Sequence, residues 1–159
     1  MTYEEIVEVM NSDPVVQKLL RAPIPARLAY VARDGSPRVV PVSYLWNGKA
    51  FVFASPPDWP KIKALSANPK VALTVDTTDF PPNILLARGV ATVEFDKGLP
   101  DEYVEASRRI VGEDRMAAWE AGVRAEERNM ALVTVTPTWV KVIDFETRFP
   151  GPGQQPSKA

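Results

Sequence analysis

The sequence predicts a mainly β protein: one domain of six antiparallel strands closed into a barrel, with helices at its periphery. Three observations lead there. The dipeptides Asp34-Gly35 and Asn47-Gly48 separate runs rich in β-branched and aromatic residues, and Asn-Gly or Asp-Gly between such runs is a strong short-range hairpin signal. Hairpin-linked strands pair antiparallel, and closing six of them into a barrel removes exposed edges. The chain also carries 16 prolines in 159 residues, against an ordinary share of roughly 5%. Many stand in turn or strand-edge contexts, which suits a β-rich chain.

Each element has its own signal. In "TYEEIVEVM" Thr2 precedes Glu5 by three residues, a capping-box pattern, and Ile6, Val9 and Met10 form an apolar stripe. Asp13-Pro14 starts a second helix, which Pro23 and Pro25 stop. Three strand-like runs follow within "ARLAYVARDGSPRVVPVSYLWNGKAFVFAS". A short helix begins near Pro60, and "KVALTVDT" and "ILLARGVATVEF" supply two more strands, with Gly89 marking a bulge or a close backbone approach. "DEYVEASRRIVGEDRMAAWEAGVRAEER" reads as two helices broken at Gly112, and "MALVTVTPTWVKVIDF" as a last strand kinked or bulged at Pro137. The domain is expected to span residues 1–150, leaving residues 151–159 as a flexible tail without apolar content.

Composition narrows the chemistry. There is no cysteine and no histidine, which removes disulfides, thiolate nucleophiles, zinc sites built on those residues and a Ser-His-Asp triad. The usual general base near neutral pH is missing as well. A formal net charge of −1 gives no field that draws nucleic acid or an anionic membrane. The acidic, amphipathic start is not a signal peptide, and no apolar run reaches membrane-spanning length. A cytoplasmic protein with no nucleic-acid or membrane partner is the expectation. Asp76 and Asp79 alone make no metal site.

Lys61 and Lys63 occupy the first turn of the short helix in "FASPPDWPKIKALSANP". A helix N-terminus carries partial positive charge, so cations there are mildly unfavourable unless an anion joins them. With a two-residue turn at Asn47-Gly48, Val42 faces Phe53, Val40 faces Ser55 and Arg38 faces Pro57. Arg38, Ser55, Lys61 and the free N–H groups of the helix start then converge, which is the chemistry of a phosphate site. The alternative is an ordinary solvated helix with Asp58 pairing one lysine.

The ordered set "DGSPRVVPVSYLWNG", "FASPPDWPKIKALSANPKVALTVD" and "ARGVATVEF" resembles the pyridoxamine 5′-phosphate oxidase-like family, over about residues 26–145. The resemblance implies a split β-barrel that binds FMN or, in one branch, the deazaflavin coenzyme F-420. It also implies a homodimer with the cofactor at the subunit interface and a small-molecule substrate. It assigns to the cofactor the second-strand residues Arg38, Val40, Pro41, Val42 and Ser43, the third-strand residues Phe53, Ala54 and Ser55, and the phosphate lysine Lys61. Ser43 stands where the oxidases proper often have lysine, and Pro60 where an arginine often precedes the phosphate lysine. With no histidine in the chain, the vitamin-B6 activity of the true oxidases is not expected.

Trp59 and Trp139 are candidates for stacking on the cofactor ring, with packing as the equal alternative; Trp46 and Trp119 are expected to pack in the core or at the dimer seam. Arg148 and Phe149 either reach across the dimer or belong to a fraying end. Three functions follow: an FMN-dependent oxidoreductase, a deazaflavin-dependent reductase on the same fold, or a binding module without turnover. No catalytic residue is singled out, because a flavin supplies the hydride chemistry itself.

Overall fold

The computed structural model describes residues 1–148, so Phe149 and the expected tail lie outside the described residues. Helices α1 (Tyr3–Ser12) and α2 (Pro14–Arg21) come first. Both predicted caps form. Thr2 and Glu5 make the reciprocal capping box, and the Asp13 carboxylate accepts from Val15 N–H at 2.9 Å and Val16 N–H at 3.2 Å. Their apolar stripe, Ile6, Met10, Val16 and Leu19, is fully buried. Burial of side chains this size contributes about 1.5–3 kcal/mol each, set against the entropy of ordering them.

The strands are β1 (Ala26–Val31), β2 (Pro37–Val42), β3 (Leu45–Trp46), β4 (Phe51–Ser55), β5 (Lys70–Asp76), β6 (Asn83–Glu94) and β7 (Ala131–Asp144). Helix α3 (Pro60–Ala67) joins β4 to β5, and the hairpin of α4 (Asp101–Val111) and α5 (Glu113–Ala125) joins β6 to β7. All seven strands form one antiparallel sheet in the order β2-β1-β5-β6-β7-β4-β3. Strands β2 and β3 lie at opposite edges, yet only Ser43 and Tyr44 connect them. So short a link forces the sheet to curl until its edges meet, which makes a split barrel. Its interior is filled by inward side chains such as Leu28, Leu73, Val75, Leu85 and Val133, with Ile62 and Leu65 of α3 packed against them.

The expected second strand is two strands here, giving seven rather than six. Tyr44 turns inward, fully buried, with its ring 5.8 Å from that of Phe51. The run therefore breaks, and β2 pairs with β1 along its whole length instead of with β4. The turn at Asn47 also differs. The Asn47 side chain accepts from Lys49 N–H at 3.0 Å and Ala50 N–H at 2.8 Å, closing a four-residue loop that pairs Trp46 with Phe51. The expected pairings of Val42 with Phe53, Val40 with Ser55 and Arg38 with Pro57 are thus absent.

Other local signals hold. Gly112 separates α4 from α5 at φ +89°, a conformation that favours glycine. The register of β6 on β7 shifts between Arg88 and Gly89, which face Trp139 and Pro137, so Thr138 is the extra residue of a bulge. A Cβ at Gly89 would lie 2.6 Å from the Thr136 carbonyl oxygen, so the backbones approach closely here. Among the described residues no helix is long and apolar enough to cross a membrane.

Candidate functional site

Helix α3 divides two surface cavities. Trp59 is its N-cap residue and makes no side-chain capping bond, and Pro60 opens the first turn. Pro60 and Lys63, three residues apart on one helix face, line a cavity of about 320 Å³ with Tyr30, Asp34, Arg38 and Asp58. Lys61 points the other way. It lines a cleft of about 190 Å³ with Pro41, Val42, Ser43, Ala54, Ser55 and Trp59. Strand β2 is a wall of both, contributing Arg38 to one and its far end to the other.

Lys61 is the unusual residue. It is only 8% exposed, and among the described residues no hydrogen bond or ion pair to its ammonium is seen. Its Nζ stands 4.3 Å from the centre of the half-exposed Trp59 ring. Burial pushes its pKa below the usual lysine value. A cation–π contact returns about 0.5–1 kcal/mol at such a partly exposed place, which offsets part of the desolvation of an ammonium that still touches solvent at the cleft mouth. A cation beside an uncapped helix start is the kind of group that could receive an anion. Ser55, 2% exposed, adds a hydroxyl to the same cleft.

The opposite wall comes from α4 (Tyr103 and Ser107) and from the loop between α5 and β7 (Arg128 and Met130). Sequence reasoning missed all four. Arg109 fixes this wall. Its Nε donates to the Ala22 carbonyl at 3.1 Å, and its guanidinium lies 4.3 Å from the centre of the Tyr44 ring. It therefore ties α4 to the end of α2 and to the β2–β3 link. Burial pushes the Tyr44 phenol above its ordinary value, while the charge of Arg109 works in the other direction. Trp119 of α5 packs against Tyr103 with ring centres 5.7 Å apart and the planes tilted by 38°, which braces α4 against α5.

The structure thus gathers seven of the eleven expected site residues around one cleft: Pro41, Val42, Ser43, Ala54, Ser55, Trp59 and Lys61. The other four are placed elsewhere. Arg38 lies in the neighbouring cavity, bonded to the Ser36 hydroxyl at 3.2 Å and paired with Asp34 at 3.5 Å. Val40 packs against the core, and Phe53 is fully buried in it. Trp139 faces outward on the sheet, under the Arg88 guanidinium at 4.4 Å. It lines an apolar hollow of about 270 Å³ there, together with Ala29, Val39, Ala72 and Leu86. Trp46 packs edge-on to Phe51 and donates its indole N–H to Asn11 at 2.8 Å.

A curled antiparallel sheet with its edges joined and a cleft beside α3 defines the split-barrel class, and the comparisons specify the family. The family model described as pyridoxamine 5′-phosphate oxidase matches residues 12–144; the chain belongs to that family. Among solved structures it is similar to an F420 reductase at 26% identity, covering 79% of this chain and 94% of that one with a TM-score of 0.61. It is similar in fold to the haem storage protein HutZ of Vibrio cholerae at 14% identity, covering 82% and 93% with a TM-score of 0.61. General Stress Protein 26 of Bacillus anthracis shares the fold at 16% identity, covering 82% and 92% with a TM-score of 0.58. No curated protein matches the chain.

Proposed function

We propose that this protein is an oxidoreductase that binds a phosphate-bearing flavin or deazaflavin, with the phosphate received at Lys61, and acts on a small molecule. The observation that carries the reading is Lys61 itself, nine-tenths buried in a cleft and without a counter-ion among the described residues. Ser55 offers a hydroxyl beside it, and Pro41, Val42, Ser43 and Ala54 form the walls. A cofactor of this class supplies hydride transfer when bound. The chain's own part is to bind it, orient it and exclude water, which suits a sequence lacking histidine and cysteine. FMN is the general expectation for the family. The 26% identity to an F420 reductase, above that of the lower-identity haem storage and stress proteins, favours the deazaflavin.

The reading includes a homodimer. The cleft in one chain is about 190 Å³, below the roughly 300–1,000 Å³ of small-ligand sites, which suits a site that a second chain would extend. The outward sheet face, with Val39 67% exposed beside Ala29, Ala72 and Leu86, offers the surface for such pairing. The deciding experiment is an absorption spectrum of the purified protein with a mass of the extracted cofactor, then titration with FMN and with coenzyme F420. Binding of one with redox turnover supports the proposal. Binding without turnover of any added reductant makes it a carrier, and binding of neither overturns it.

A further inference from the structure

Arg128 is a second cation on the cleft that holds Lys61, on the wall that faces it. Its loop is tied down at several points. Asn129 donates to the Asp96 carboxylate at 3.1 Å and accepts from Gly98 N–H at 3.1 Å, and Met130 N–H donates to the Gly98 carbonyl at 2.8 Å. Glu127, just before Arg128, sits in the left-handed region at φ +48°, a conformation costly for a residue with a Cβ. The backbone on either side of Arg128 is thus fixed, by these bonds and by Glu127 in its left-handed conformation. Its partner among the described residues is Glu126, two positions earlier, with which it forms a charge-assisted hydrogen bond. Both side chains are exposed, at 42% and 52%, and an ion pair in that setting is weak and readily exchanged.

We propose that Arg128 is the second phosphate ligand of the Lys61 cleft, and that Glu126 holds its guanidinium as an internal stand-in for the phosphate. This rests on the reading of the cleft as a phosphate site. Binding is then an exchange of anions on Arg128, the carboxylate leaving as the phosphate enters. Lys61 has no such stand-in among the described residues, so it gains a partner where Arg128 swaps one. The planar fork of an arginine suits two oxygens of one phosphate, and the point charge of Lys61 suits a third. Glu126 thereby competes with the incoming phosphate for the guanidinium, and removing its charge should favour binding.

The test separates phosphate recognition from ring binding by using paired ligands, FMN against riboflavin and coenzyme F420 against the same deazaflavin without its phosphate-bearing tail. Dissociation constants are measured for wild type, Arg128→Gln, Arg128→Lys and Glu126→Gln, with thermal midpoints as a check on folding. Arg128→Gln is expected to lose about tenfold in affinity for the phosphate-bearing ligand with no change for its phosphate-free partner. Arg128→Lys recovers part of that loss. Glu126→Gln is expected to gain about three- to fivefold for the phosphate-bearing ligand alone. If wild type prefers the phosphate-bearing ligand and that preference is unchanged in all three variants, the role of Arg128 is overturned while the cofactor reading stands. If wild type shows no such preference, or binds none of the four ligands, both fall.

Discussion

Replacing Lys61 by methionine sets affinity against stability. The substitution keeps a long flexible side chain and deletes the charge. In the ligand-free protein that charge is a liability, because the residue is 8% exposed and burial pushes its pKa below the ordinary lysine value. A fully buried polar group without a partner costs about 1–3 kcal/mol, and this ammonium, which keeps some solvent contact, sits at the low end of that range. The Trp59 ring at 4.3 Å offsets about 0.5–1 kcal/mol of it. The net expectation for Lys61→Met is a gain of at most about 1 kcal/mol, or no more than roughly 2–4 °C in thermal midpoint for a chain of this size. Affinity for the phosphate-bearing cofactor should fall by about 1.5–3 kcal/mol, one to two decades. Differential scanning fluorimetry without ligand, and fluorescence titration with FMN or coenzyme F420, read the two quantities on one preparation. A variant that is less stable and binds as wild type does would refute the reasoning, since the ammonium would then serve the fold.

Three further outcomes are expected. Gly89→Ala should lower the urea midpoint by about 1–3 kcal/mol of stability, because its Cβ would meet the Thr136 carbonyl oxygen at 2.6 Å and Val135 Cγ1 at 2.7 Å; an unchanged midpoint means the bulge is looser than it looks. Cofactor affinity should be fully present below the Lys61 pKa and decline as pH rises through it. Burial places that decline below the free-lysine value of 10.5, and Lys61→Arg, charged throughout, should shift it upward in a pH series of binding constants. Light scattering should give a dimer at low micromolar concentration, and Val39→Asp, on the exposed apolar face, should shift it toward monomer; a wild-type monomer removes that part of the reading.

Features decided within a few residues were legible in the sequence. Thr2 with Glu5, Asp13 with Pro14 and Gly112 each fix a helix end through bonds or dihedrals spanning one turn. Gly89 was legible for a similar reason, since a glycine inside a β-branched run has few other uses. The break at Ser43–Tyr44 was not. The run "PRVVPVSYLW" reads as one strand, and what divides it is Tyr44 turning in against Phe51 and Arg109, the latter 65 residues downstream. The hairpin register failed with it, because Asn-Gly signals a turn without fixing its length, and here the Asn47 side chain closes a longer loop.

The cleft divides along the same line. Residues 54–61 form one wall from a continuous stretch, so their convergence follows from a strand, a loop and a helix start in succession. The facing wall arrives from α4 and the loop after α5, where Arg128 looks in the sequence like one more charge in "RAEERNM". It reaches the cleft because Asn129 is bonded to Asp96 and Gly98, about a third of a hundred residues earlier in the chain, and because Arg109 docks α4 on Ala22 and Tyr44. None of those contacts has a local signature. On the proposed reading, the strand–loop–helix wall receives the phosphate at Lys61, and the facing wall adds the second cation, Arg128. Selectivity among phosphate-bearing ligands is therefore expected to change more on substitution in the α4–α5 wall than at Pro41, Val42 or Ala54, whose contribution is shape rather than charge.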